Sequence, residues 1–508
     1  VTTLIPKYTQ VNTANRTIAE KFAETISVKD FGAIGDGIAD DTAAINAAIN
    51  YFQLPTSERG GEIYFPVGKY RVTSTIEVYN ARGLRFTGSM GSINGNPNIV
   101  DGANSSFIFG DGIANPDPVF YMWAGSNVEF RNLIINGARG TDSVTKALAC
   151  VWIDFNHENY RFYGCKFGIA SIGIRVCSSY NYSTGAWTPG VSAYDGTTFI
   201  PSTLVGGFAC DNGVYEDCFF SECTIAGLTI ESAQALNMAS RKCIFATGVY
   251  QGVYITGCQG ISFYDPLITG NVFLLLNGKS SIGNIIVNNA HLEDPVLIPK
   301  LIYHITATPL GQGITLNSCG GGLVYLQGSL SNPRSCVTIN NSIISGVVLD
   351  NEGMNLIVNN TTMTTFAKNT AATSEYMRLT NVNITGSINA NWNGTFDTLI
   401  VEHCNIVGYP ALSNVPLKIG GRTTFDVKMI AGQIGSAGAT GGMEGLVFHS
   451  GTNSAILCVG CYYNTSNVLI ATATSGGQLV FNNTGLVLSK FTGATIGSTP
   501  SLTSGAYT

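Results

Sequence analysis

The stretch VYEDCFFSECTIAGLTIES, residues 214–232, reads as two short strands. Apolar and polar residues alternate around a small marker position, Cys218, and a turn of small residues then leads into a second apolar run. The pattern returns as SRKCIFATG, SFYDPLITG, VNNAHLEDP, LNSCGGG, INNSIISG, VNNTTMTT, LTNVNITG and VEHCNIVG, with markers at Cys243, Pro266, Ala290, Cys319, Ser342, Thr361, Val382 and Cys404. Steps between markers run from 19 to 29 residues, a period that belongs to a solenoid. No unit has room for a crossover helix, and the leucine spacing of leucine-rich repeats is absent. The pattern therefore predicts an all-β fold, a right-handed parallel β-helix.

Composition agrees with stacked strands. Only 11% of residues are charged, against 45% hydrophobic and 60 glycines in 508 residues, which suits strands and tight turns with a neutral polar surface. A net charge of -6 leaves no basic stripe to release counterions, so nucleic acid is not expected as a partner. No apolar run of about 18 residues occurs and the first residues lack a charged segment followed by an apolar one, so neither membrane insertion nor a signal peptide is expected. Thirteen cysteines without framework spacing read as reduced, buried hydrophobes, consistent with assembly in a reducing cytoplasm. The pair Cys458 and Cys461 is a lone CxxC and reads the same way.

Both ends depart from the rhythm. An open stack must cover its first strand, and DDTAAINAAINYF supplies a helix over 40–52, capped by Asp40 or Asp41, with Ile45, Ala48, Ile49 and Phe52 on one face. Upstream, residues 1–26 hold a short helix candidate with Ile18 and Phe22 on one side, expected as a neck. The solenoid is expected over 27–414. An excursion rich in Gly, Ser, Thr and aromatics separates Cys177 from Cys218. Residues 415–508 read as hairpin strands of a small C-terminal β-domain, sandwich-like and trimerising.

The segment SVKDFGAIGDGIADDTAAINAAI, residues 27–49, resembles the opening motif of the pectate-lyase-like superfamily as used in bacteriophage tailspike and tail-fibre depolymerases. That resemblance implies a homotrimer on the phage tail or baseplate, attached through a region N-terminal to this chain. It also implies cleavage or deacylation of a bacterial surface polysaccharide, O-antigen or capsule. The sugar, the bond and the catalytic residues do not carry over. The aspartate triplet of the calcium-dependent lyase branch is not visible. Asp36, Asp40 and Asp41 are assigned to a turn and a helix cap, so hydrolysis without metal or cofactor is the expectation.

If the marker points inward, so does the residue two further on, and Phe220, Phe245, Ile268, Leu292, Ile344, Met363, Ile384 and Ile406 support this; odd offsets then face outward. The outward position before each marker carries Asp217, Lys242, Asp265, Asn289, Ser318, Asn341, Asn360, Asn381 and His403. Asp217 and Asp265, two rungs apart, would lie roughly 10 Å from each other, compatible with a glycosidase acid and base. The alternative is a charge-balancing ladder through Lys242. Glu293, with His291 beside it, and Glu231 on another flank are further carboxylate candidates. Trp187, Tyr180, Tyr182 and Tyr194 in the excursion are candidates for stacking on sugar rings. A lyase or esterase on the same scaffold, or a receptor-binding fibre without catalysis, remains open.

Overall fold

A computed structural model describes residues 24–53, 60–89 and most of 104–385, with backbone strands assigned as far as 492. The expected neck helix and Tyr182 lie outside the described residues. The chain coils as a parallel β-helix. Thirty-eight strands join one continuous ladder, and they contribute to three faces. Leu84–Gly88, Glu129–Arg131, Arg161–Tyr163 and Val214–Glu216 follow one another on the first face. Lys166–Cys177 and Phe219–Glu231 each turn a corner between the second and third faces, with a register shift between Ala170 and Ile172.

Alternation puts every second residue of a strand inside, mostly apolar, and equivalent inward residues of successive rungs stack along the axis. Phe86, Phe130, Phe162 and Tyr215 form one column with centroid spacings of 4.5, 5.2 and 5.8 Å, close to the spacing of about 4.8 Å between paired strands. Phe167, Phe220 and Phe245 form another at 5.4 and 5.0 Å. The markers Cys218, Cys243, Ala290, Cys319, Ser342, Thr361 and Val382 are all buried, as the repeat requires. Ten cysteines among the described residues are free thiols, and all but Cys336 are buried. Cys458 and Cys461 have side chains outside the described set.

The opening segment covers the end of the stack. Helix Thr42–Gln53 buries Ile45, Ala48, Ile49 and Phe52, and a methyl group on Gly61 would collide with the Phe52 ring. Three aspartates fix the turn before it. Asp36 accepts from the N–H groups of Ile38 and Ala39, Asp41 from those of Ile34 and Gly35, and Asp40 from that of Thr42.

The outward position before each marker has a backbone explanation. Asp217, Lys242, Asp265, Asn289, Ser318, Asn341, Asn360 and Asn381 all have φ between 49 and 55°, the left-handed region that Asn and Asp tolerate best. The side chains then bond along the axis, Asn360 to Asn341 and Asn381 to Asn360 at 3.1 and 2.9 Å. Replacing Asn360 by Val should therefore destabilise the solenoid by about 1–2 kcal/mol through the backbone alone, whereas Gly should be tolerated better. Denaturant midpoints of the two variants check this ordering.

Beyond residue 415 hairpins were expected, and the pairing differs. Asp426–Ile430 pairs in parallel with Thr398–Glu402, Ala455–Val459 with Asp426–Ile430, and Gln478–Asn482 with Ala455–Val459. The first face thus runs on past the expected boundary. Alternation identifies a strand but not the direction of its partner, and a glycine turn serves a rung corner as well as a hairpin.

Candidate functional site

The structure brings Asp217, Lys242 and Asp265 together on successive rungs. Their N–H groups donate to the carbonyls of Arg241, Tyr264 and Asn288 on the following rung at 3.0, 2.8 and 3.0 Å. All three are exposed, and Asp265 accepts from Asn289 at 3.0 Å. The stacking is as expected from the repeat, while the left-handed corner accounts for the residue types. Glu293 is exposed, with His291 Nε2 at 3.9 Å. In the excursion, Tyr180 pairs with Trp187 and Ala193–Tyr194 with Phe199–Ile200, both antiparallel. Nearer the cap, the side chains of Glu62, Arg85, Glu129 and Arg131 pair among themselves, a charge-balanced ladder.

Glu231 lies elsewhere, within a cluster that the sequence did not reveal. On the third face the register runs Glu77, Tyr121, Trp152, Arg175, Thr229, Tyr254 and Leu275 in one outward column. A second outward column carries Tyr79, Trp123, Asp154, Cys177 and Glu231. An outward column should be solvated. Here Asp154, Arg175, Thr229, Glu231 and Tyr254 are each 0% exposed, and they adjoin a second apolar cluster with Trp152, Ile172, Ala226, Val272 and Leu275.

Asp154 and Glu231 are two rungs apart, roughly 10 Å between Cα atoms. The Arg175 guanidinium donates to both carboxylate oxygens of Glu231, through Nε and one Nη, at 3.0 Å each. It also lies 4.2 Å from the Trp152 ring centroid. Burial works against the charge on Arg175, yet Glu231 beside it raises its proton affinity overall. Tyr121 donates to Asp154 at 3.0 Å, and burial followed by the Asp154 charge pushes the phenol well above its ordinary range. Trp152 Nε1, Thr229 Oγ1 and Gln251 Oε1 are buried without a hydrogen-bond partner among the described residues. Buried polar groups are ordinarily paired, so this face has hydrogen-bonding capacity in reserve. At its upper end Tyr79, 47% exposed, packs on Trp123 with centroids 3.9 Å apart.

His157 closes the corner after Asp154. It is fully buried, neither ring nitrogen has a partner among the described residues, and it lies against Gly125, where a methyl group would meet Cε1 at 2.7 Å. Burial alone pushes its pKa down to about 3 from 6.5. The folded protein keeps this ring neutral while the unfolded chain protonates it below about pH 6.5, so stability is full above that pH and falls as pH drops toward 3. At pH 5 the loss should be about 2 kcal/mol. Replacing His157 by Phe should flatten the melting temperature between pH 7 and 5, measured calorimetrically against the parent protein.

Residues 25–265 match the family model described as rhamnogalacturonase A/epimerase, pectate lyase-like. Mannuronan C5-epimerase AlgE5 of Azotobacter vinelandii is 55% identical over 47 residues, 9% of this chain and 4% of that protein. Plasmin and fibronectin-binding protein A of Streptococcus pneumoniae is 34% identical over 111 residues, 22% of this chain and 15% of that one. This chain thus spans only a small part of the curated relatives it matches. Among solved structures, tailspike protein gp49 from Acinetobacter baumannii bacteriophage Fri1, a capsular polysaccharide depolymerase, aligns with 73% of this chain and 63% of its own at 12% identity and a TM-score of 0.40. Over residues 25–265, then, the coil described above is similar to the pectate lyase-like family, and its fold is a parallel β-helix.

Proposed function

We propose that this protein binds and cleaves a bacterial surface polysaccharide as an endo-acting hydrolase of a phage tail, working as a homotrimer, with Asp154 and Glu231 as its carboxyl pair. The resemblance of residues 27–49 supports the tailspike setting. The observation that carries the site is the set of charged and polar groups sealed on the outer side of a sheet, where stacking alone would leave solvated residues.

Glycoside hydrolysis needs one carboxyl group to protonate the leaving oxygen and another to activate water or attack the anomeric carbon. Glu231, held in place by two bonds from Arg175, suits the base. Asp154, shielded from water beside Tyr121, suits the acid. The two-rung spacing accommodates the separation of about 6.5–9.5 Å that leaves room for a water between them. Trp123, one rung above Asp154, and Tyr79, two rungs above it, offer aromatic faces to a pyranose ring.

Incubation with host capsule or lipopolysaccharide, followed by size-exclusion chromatography and reducing-end assay, tests the reading. Shorter chains with new reducing ends are expected. An ultraviolet-absorbing unsaturated product would identify a lyase, released acetate an esterase, and saturable binding without shortening a receptor-binding fibre.

A further inference from the structure

The outward column that passes through Arg175 continues beyond Leu275 to Tyr303 and Tyr325. There the face is again partly exposed. The two rings meet edge to face with centroids 5.2 Å apart, and Lys300 Nζ lies 3.6 Å from the first centroid and 5.1 Å from the second. Along the neighbouring column Lys300 is flanked by Val272 on one rung and Leu323 on the next. Its ammonium group is half-buried, between tyrosines and aliphatic side chains, with no carboxylate at ion-pair distance among the described residues. Burial lowers its proton affinity. A half-desolvated cation without a counter-charge is costly in a folded protein, and an anion that arrives with a ligand removes that cost.

We propose that Lys300, Tyr303 and Tyr325 form a second saccharide platform, which takes an acidic sugar of the polymer whose cleavage is proposed above. Tyrosine rings supply faces for the apolar side of the sugar, and Lys300 supplies the charge for its carboxylate. Five rungs separate the rung of Asp154, marked on this column by Trp152, from Tyr303, roughly 24 Å at about 4.8 Å per rung. A repeating polymer long enough to span that distance engages both places at once, and its affinity rises by effective concentration rather than by any new kind of contact. The proposal rests on the polysaccharide reading of the site.

The experiment uses the full chain and a panel of acidic bacterial capsular polysaccharides. Each is size-fractionated and each is also prepared in carboxyl-reduced form. Binding should strengthen by about tenfold or more once fragments exceed the span between the two places. Lys300→Met and the Tyr303→Ala/Tyr325→Ala double variant should each remove that gain, with melting temperatures close to the parent value. Carboxyl reduction of the same polymer should remove it as well. A length-dependent gain that persists in Lys300→Met, or in the reduced polymer, overturns the platform while leaving the cleavage reading in place. Polymers that are shortened normally but show no gain with length also overturn it. If no polysaccharide in the panel is bound or shortened, the polysaccharide reading falls and the platform with it.

Discussion

Asp154→Asn is expected to slow polysaccharide shortening by about 10²–10⁴-fold, the usual contribution of a positioned general acid or base. The amide oxygen can still accept from Tyr121, so the fold should persist and binding of polymer should survive. Reducing-end release and a melting curve on the same preparation separate these effects. Asp265→Asn is the matching comparison, because Asp265 sits at an exposed corner where the backbone favours Asn or Asp for its own reasons. If Asp265→Asn stops shortening and Asp154→Asn does not, the acid lies on the corner strip and the third face is structural.

The second large effect concerns stability. Arg175 and Glu231 are both inaccessible to solvent, and removing one partner leaves a buried charge uncompensated, at about 3–5 kcal/mol. Arg175→Met should therefore destabilise by that amount. Arg175→Met combined with Glu231→Gln should recover much of it, since neither charge then remains. Urea denaturation of the two variants and the parent gives the comparison, and equal losses in single and double variants would mean that the uncompensated charge is not what destabilises the single variant. Both variants should be inactive, because each removes the base or the group that holds it.

The fold was legible in the sequence because its rule is repetition. Each rung places a small or apolar marker inside and a turn residue before it, so Cys218, Cys243, Cys319 and Val382 could be aligned by period alone, and all four are buried. The corner ladder was legible as a position but not as a conformation. Asn341, Asn360 and Asn381 are there because a left-handed corner recurs, and the same conformation recruits Asp217 and Asp265, which from spacing alone resembled an acid pair. The strand direction beyond residue 415 was not legible, because pairing partners come from the winding and not from the strand itself.

The cluster on the third face escaped for a related reason. Its strands, such as ACVWID, IGIRVC and GLTIE, read as near-continuous apolar runs, so Asp154 and Arg175 gave no signal of their own and Glu231 stood only as a lone candidate without its partners. That continuity is the signature of a strand covered on both faces. A lone Arg175 or Glu231 inside such a run was the available clue, since a charge there needs a partner from another rung. Asp154 was harder to see, because the early rungs that hold it are less regular than those after residue 214. Which rung supplies the partner depends on register, and only the folded coil fixes that.

The most direct test is a crystal structure of the Asp154→Asn variant with an oligosaccharide from its polysaccharide. The account predicts a sugar ring stacked on Tyr79 or Trp123 and a glycosidic oxygen within hydrogen-bond reach of residue 154, with Glu231 on the far side of the bond. Saccharide bound instead along Asp217, Lys242 and Asp265, with the third face still sealed, would contradict it.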